Sequence, residues 1–75
     1  MKRYRNLDGH SGVAAYDAGA GFIRIRFVGG DIYEYTDAVT GARHVRNMQM
    51  LARAGKGLAT YVSRFVHDAY ARKLD

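Results

Sequence analysis

Phe22-Ile23-Arg24-Ile25-Arg26-Phe27-Val28-Gly29-Gly30-Asp31-Ile32-Tyr33-Glu34-Tyr35-Thr36 is the stretch whose reading decides the fold of this 75-residue chain. Apolar and charged residues alternate from Ile23 to Phe27, the period-2 pattern of a strand with one buried face. A glycine-rich break follows, and Ile32 to Thr36 then supplies the aromatic and β-branched residues that suit a pleated surface. The two runs make a β-hairpin. A two-residue Gly29-Gly30 loop would set Ile25 against Glu34 and Arg26 against Tyr33, mixing the faces. A three-residue Gly29-Gly30-Asp31 loop sets Phe27 against Tyr33, Ile25 against Tyr35, Arg26 against Glu34 and Arg24 against Thr36. The second register keeps like with like and is the one expected.

Upstream, Gly12-Val-Ala-Ala-Tyr-Asp17 reads as a further strand, joined to Phe22 through Ala18-Gly19-Ala20-Gly21. Tyr16 then faces Ile23 and joins the apolar side of the hairpin. Residues 1–10 read as a mobile basic arm, from which Tyr4 and Leu7 are able to fold back. After Thr36 the period changes to that of a helix. Asp37 or Thr40 is placed to cap it, Val45, Met48, Leu51 and Ala52 form its apolar side, and Gly55 and Gly57 end it. In a second helix Leu58, Tyr61, Val62, Phe65, Val66, Ala69 and Tyr70 recur at helical spacing. The expected architecture is α+β: a three-stranded antiparallel meander covered on one face by two helices, in the order β-β-β-α-α, with one domain over residues 11–75.

Composition narrows the functional classes. The chain has no cysteine, which excludes disulfides, thiolate metal sites and cysteine nucleophiles. No apolar run is long enough to span a bilayer and no signal-type apolar segment follows the basic start, so a cytoplasmic protein is expected. So small a core contributes only about 3–5 kcal/mol net, which leaves room for a homodimer through the open sheet face on Val13, Val28 and Ile32. Net charge is +5 and unevenly spread. Lys2, Arg3 and Arg5 stand without an acid, residues 8–37 hold five acids against two arginines, and residues 38–75 hold seven cations against two acids. That asymmetry points to nucleic acid or an acidic protein surface as partner.

Arg43, Arg46, Met50 and Arg53 fall on one side of the first helix, and Lys56 extends them at its end. With Lys2, Arg3 and Arg5 they form the expected partner-binding surface, since guanidinium groups present forks of donors suited to phosphate. On an acidic protein partner the same surface would centre on Met50. Tyr33 and Tyr35 face the helices and read as core, not as a base-stacking platform. His10, His44 and His67 lie far apart with no acid at ligand spacing, so no metal is expected. Ser11, Ser63, His67 and Asp68 compose no triad. Gly19-x-Gly21 and Gly55-Lys56-Gly57 lack the settings of a dinucleotide loop and a P-loop. A non-catalytic module without cofactor is expected.

A strand ending in Tyr16-Asp17, a Gly-Gly-Asp turn leading to Tyr33-x-Tyr35, and an Ala/Gly break between two helices together resemble the KTSC domain. That family is found at the C-terminus of some lysyl-tRNA synthetases and as small stand-alone bacterial proteins. The resemblance runs from about Ser11 to Tyr70. It departs from the family where Asp37-Ala38-Val39 stands in place of Val-Pro, and where the asparagine usual in the second helix is missing. It implies a fold and an association with tRNA enzymes, and no mechanism.

Overall fold

Alternation dictates the three longest strands, β2 (Val13–Gly19), β3 (Phe22–Phe27) and β4 (Ile32–Thr36), which form an antiparallel meander in a computed structural model that describes residues 1–75. Two further strands lie outside them, β1 (Lys2–Arg3) against β2 and β5 (Arg72–Lys73) against β4. The sheet therefore has five strands in the order β1-β2-β3-β4-β5, not the expected three. Helix α1 (Ala42–Ala54), the short α2 (Leu58–Tyr61) and a π-helical turn (Val62–Val66) cover one face. The core lies between the layers and gathers Tyr4, Val13, Tyr16, Ile23, Ile25, Tyr35, Val45, Met48, Ala52, Leu58, Val62 and Val66.

The hairpin register differs from expectation by two positions. Ile23 faces Tyr35, Arg24 faces Glu34, Ile25 faces Tyr33 and Arg26 faces Ile32. The loop keeps three residues but is Val28-Gly29-Gly30, closed by Phe27 N–H to the Asp31 carbonyl at 2.9 Å and Gly30 N–H to the Phe27 carbonyl at 2.8 Å. Gly30 sits at φ 103°, where the expected register would have placed Asp31, and glycine adopts that conformation at less cost. A shift of two leaves every side chain on its own face. It changes the charge pairing instead: the Arg24 Nε–H donates to Glu34 Oε2 at 2.7 Å and the Arg72 Nε–H to Oε1 at 2.9 Å. Both guanidinium hydrogen bonds hold the Glu34 carboxyl below the ordinary glutamate range, that of Arg72 contributing most and that of Arg24 next.

The β2–β3 turn is two residues, with Gly19 opposite Phe22 and Tyr16 opposite Ile25 rather than Ile23. A bulge between Val13 and Ala15 lets Val13 and Tyr16, three positions apart, both enter the core. Val13 is thus removed from the open sheet face, where it was expected to support a homodimer.

The basic arm also departs from expectation. The Tyr4 N–H donates to the Ala14 carbonyl at 3.0 Å, and Tyr4 is 3% exposed. Its hydroxyl accepts from the Leu58 N–H at 3.3 Å inside the core. Farther on, the Leu7 N–H donates to the Gly55 carbonyl at 2.7 Å. Gly55, at φ 78°, lets the chain turn out of α1, and a Cβ there would lie 2.8 Å from Arg5 Cβ. Residues 1–7 are therefore bound along β2 and the end of α1, because the buried ring of Tyr4 outweighs the freedom of a charged tail.

Neither Asp37 nor Thr40 caps α1. Gly41 precedes it with no side-chain cap, and the Thr40 hydroxyl donates to the Ala69 carbonyl at 2.6 Å. The second helix is shorter than its apolar spacing suggests. After α2 one extra residue enters the turn, marked by the His67 N–H to Val62 carbonyl bond at 2.6 Å. Leu58, Val62 and Val66 stay buried, whereas Phe65 turns outward and is 58% exposed. Tyr70 then lies against Tyr33 at 4.6 Å between ring centroids, and the chain pairs with β4 as β5.

Tyr4→Ala is expected to lower the free energy of unfolding by about 3 kcal/mol. An unchanged urea midpoint would mean that the segment is a free arm after all. The stabilisation from Glu34 is present above the ordinary glutamate range and is lost as pH falls through its lowered folded-state value. Glu34→Gln should therefore flatten the acid limb of a melting-temperature profile taken between about pH 7 and pH 2. An acid limb identical to the parent's would show that the carboxylate is not held this way.

Candidate functional site

Helix α1 has three arginines and no acid. Val45, Met48 and Ala52 turn inward, so Arg43, Arg46, Met50 and Arg53, spaced three, four and three apart, emerge together on the opposite side. All four are exposed, Met50 by 60%. The helix cannot rotate about its axis, because the Gln49 amide donates to the carbonyls of Gly19 and Phe22, both at 2.8 Å. These bonds fasten one flank of α1 to the end of the β2–β3 hairpin and so fix the direction of the arginine stripe.

The C-terminal end of α1 collects further cations. Lys56 sits in the Gly55-Lys56-Gly57 link. Arg5 lies across the same end, its guanidinium donating to the Arg53 carbonyl. Lys2 faces the helix side, as its partner Tyr16 does, and lines a small hollow with Asp17, Ala18 and Arg53. Arg3 points the other way. It lies over the open sheet face beside Ala14, Arg26 and Ile32, and so does not join the stripe. Of the eight residues expected to form one surface, seven lie on or around α1, and Arg3 is separated from them by the sheet.

Electrostatics set this surface apart from the rest. Three sheet cations are matched, Arg24 to Glu34 and Asp17, Arg72 to Glu34, and Lys73 to Asp31 and Asp75, while Arg3 and Arg26 on the open sheet face are not. Two of those acids raise the Lys73 ammonium above its ordinary value, Asp31 first and Asp75 second. Lys2, Arg5, Arg43, Arg46, Arg53 and Lys56 make no ion pair. Arg53, Lys56 and Arg5 at least suit the negative end of the helix dipole. Arg43 and Arg46 have no such compensation, since they lie in the first turns, where an acid would be favoured, and are neighbours at i, i+3. Neither makes an ion pair, and the acid nearest the start of the helix is Asp37, which lines a hollow with Arg46.

No group of three His, Asp or Glu side chains gathers as a metal site. His10 lines a surface hollow with Asn6, Asp8, Ser11 and Lys56, and His67 is exposed. His44 is the histidine with a built environment. Its Nδ1 lies 2.6 Å from the Tyr61 hydroxyl, which also accepts from the Asn47 amide at 3.1 Å. Tyr35, by contrast, is sealed in the core, and burial, with Tyr33 and Tyr70 beside it, pushes its phenol up to about 12. Two exposed residues near the helices, Arg64 and Phe65, were not expected at a site. Helical spacing hides Phe65 among core positions, and only the extra residue of the π-helical turn brings it out.

No family model, curated protein or solved structure matches the chain.

Because the arginines of α1 are exposed and unpaired, Arg43→Ala, Arg46→Ala and Arg53→Ala should each change the free energy of unfolding by no more than about 0.5 kcal/mol. A loss above about 1 kcal/mol at any of them, in urea titration, would show a structural role for that side chain.

Proposed function

We propose that this chain is a non-catalytic binding module that holds nucleic acid, RNA in the first place, against the outer side of α1. The reading rests on one observation: the largest group of cations without an acidic partner lies on and around α1, while Arg24, Arg72 and Lys73 of the sheet are paired. A polyphosphate backbone supplies the missing charge at regular intervals, and a helical row of guanidinium groups can follow it. Arg5, Lys2 and Lys56 extend the row past the helix end. The resemblance to the KTSC domain, with its link to tRNA enzymes, agrees with this reading.

Met50 favours a second reading. An apolar side chain 60% exposed between Arg46 and Arg53 suits an acidic protein partner with a small pocket for it. A pull-down with and without nuclease separates the two readings. Capture lost on nuclease treatment supports nucleic acid, and capture retained supports protein.

Affinity for RNA should fall steeply between about 50 and 200 mM salt, with a log–log slope of about −0.7 to −0.9 per phosphate contacted. Arg46→Ala and Arg53→Ala should each reduce the slope by about one contact, whereas Arg3→Ala, on the far side of the sheet, should not. A flat salt dependence would overturn the nucleic-acid reading.

A further inference from the structure

The flank of α1 that faces α2 carries a feature that phosphate binding does not use. Phe65 is 58% exposed, unusual for a phenylalanine in so small a domain. Its ring is not loose. Tyr61 lies 4.8 Å away between centroids at 38°, and His44 stacks on it at 6.5 Å and 29°. The Arg64 guanidinium stands 5.9 Å from the ring centroid. Tyr61 and His44 are themselves fixed through the Tyr61 hydroxyl, which His44 and Asn47 both contact. A solvent-facing ring is thus mounted on a rigid support. The π-helical turn that exposes it is a less favourable geometry than a continued α-helix, and such turns occur often at functional sites.

The cluster adjoins the cationic stripe. Asn47 is one turn beyond Arg43 and precedes Met50 by three positions, so the edge of the stripe is the edge of the aromatic cluster. Arg43 and Arg64 both lack an acidic partner. An aromatic face flanked by uncompensated arginines matches one ligand chemistry: a base with its π-face free, on a phosphate backbone. A duplex offers the phosphates but keeps its bases stacked internally.

We infer that Phe65, backed by Tyr61 and His44, is a stacking site for an unpaired base, and that the partner of this module is therefore single-stranded nucleic acid, or a loop, and not a duplex. The inference rests on the nucleic-acid reading above and adds the strandedness of the ligand.

The full chain is titrated at low salt with a short oligouridine RNA, the corresponding oligothymidine DNA, an abasic strand carrying the same phosphates, and a duplex of equal length. The base-bearing strands should bind about five- to a hundredfold more tightly than the abasic one. Phe65→Ala should remove that difference while leaving the weaker, salt-sensitive binding of the abasic strand. Phe65→Trp should preserve the difference. As the chain has no other tryptophan, the Phe65→Trp emission should also be quenched by base-bearing strands and not by the abasic strand. Comparing the RNA and DNA arms shows whether the sugar is read. If Phe65→Ala binds oligouridine as well as the parent, if the emission does not respond, or if the duplex binds best, stacking is excluded and the cationic stripe stands alone. If no strand binds, both readings fall together.

Discussion

The carboxylate of Glu34, held between Arg24 and Arg72, is the constraint on which the arrangement of charge depends. Its two oxygens join the central strand of the sheet to an outer one through the strand between them. Glu34 is 6% exposed. A buried ion pair of this kind is a weak source of net stability, because desolvation offsets most of the attraction. What it decides is register. Alternation alone tolerates a slip of two residues in the hairpin, and such a slip would pair Glu34 with Arg26 and separate it from Arg24. The triple contact favours the observed pairing and also draws β5 onto β4.

That pairing leaves an imbalance elsewhere. Three of the five acids of the sheet half, Asp17, Asp31 and Glu34, are taken up by Arg24, Arg72 and Lys73, which leaves Asp8 and Asp37 against the cations on and around α1. With its own acids absent and its rotation fixed by Gln49, the helix presents a positive row that the fold neither neutralises nor hides. It is on this row that the proposal of a polyanionic partner rests, since like charges in the first turns of a helix are otherwise unfavourable.

Much of this was legible in the residues, and the exceptions share physical causes. The alternation in β3 and β4, the inward side of α1 and the glycine break after it all follow from spacing, as do the outward positions of Arg43, Arg46, Met50 and Arg53. Parity cannot distinguish registers two residues apart, so Arg24 and Arg26 exchanged roles. Strands of two charged residues, Lys2–Arg3 and Arg72–Lys73, carry no period at all; hence β1 and β5, and the outward turn of Arg3, had no signal. Tyr61, Val62, Phe65 and Val66 all fit a continuous helical stripe, and one inserted residue was enough to send Phe65 to the surface. The buried place of Tyr4 was hinted at only by an aromatic residue among charges.

The outermost strands have a further consequence for how copies of this molecule meet. Each has two residues and carries a lysine and an arginine, so each border of the sheet offers a second chain few free backbone donors or acceptors and a like charge to repel it. Of the longer strands that would template cross-β growth, β3 is paired along both sides, and β2 and β4 are each shielded over part of their outer edge by a short strand. A domain with this much β-structure and so small a core is thereby guarded against fibril-like stacking by its borders, independently of how stable its interior is.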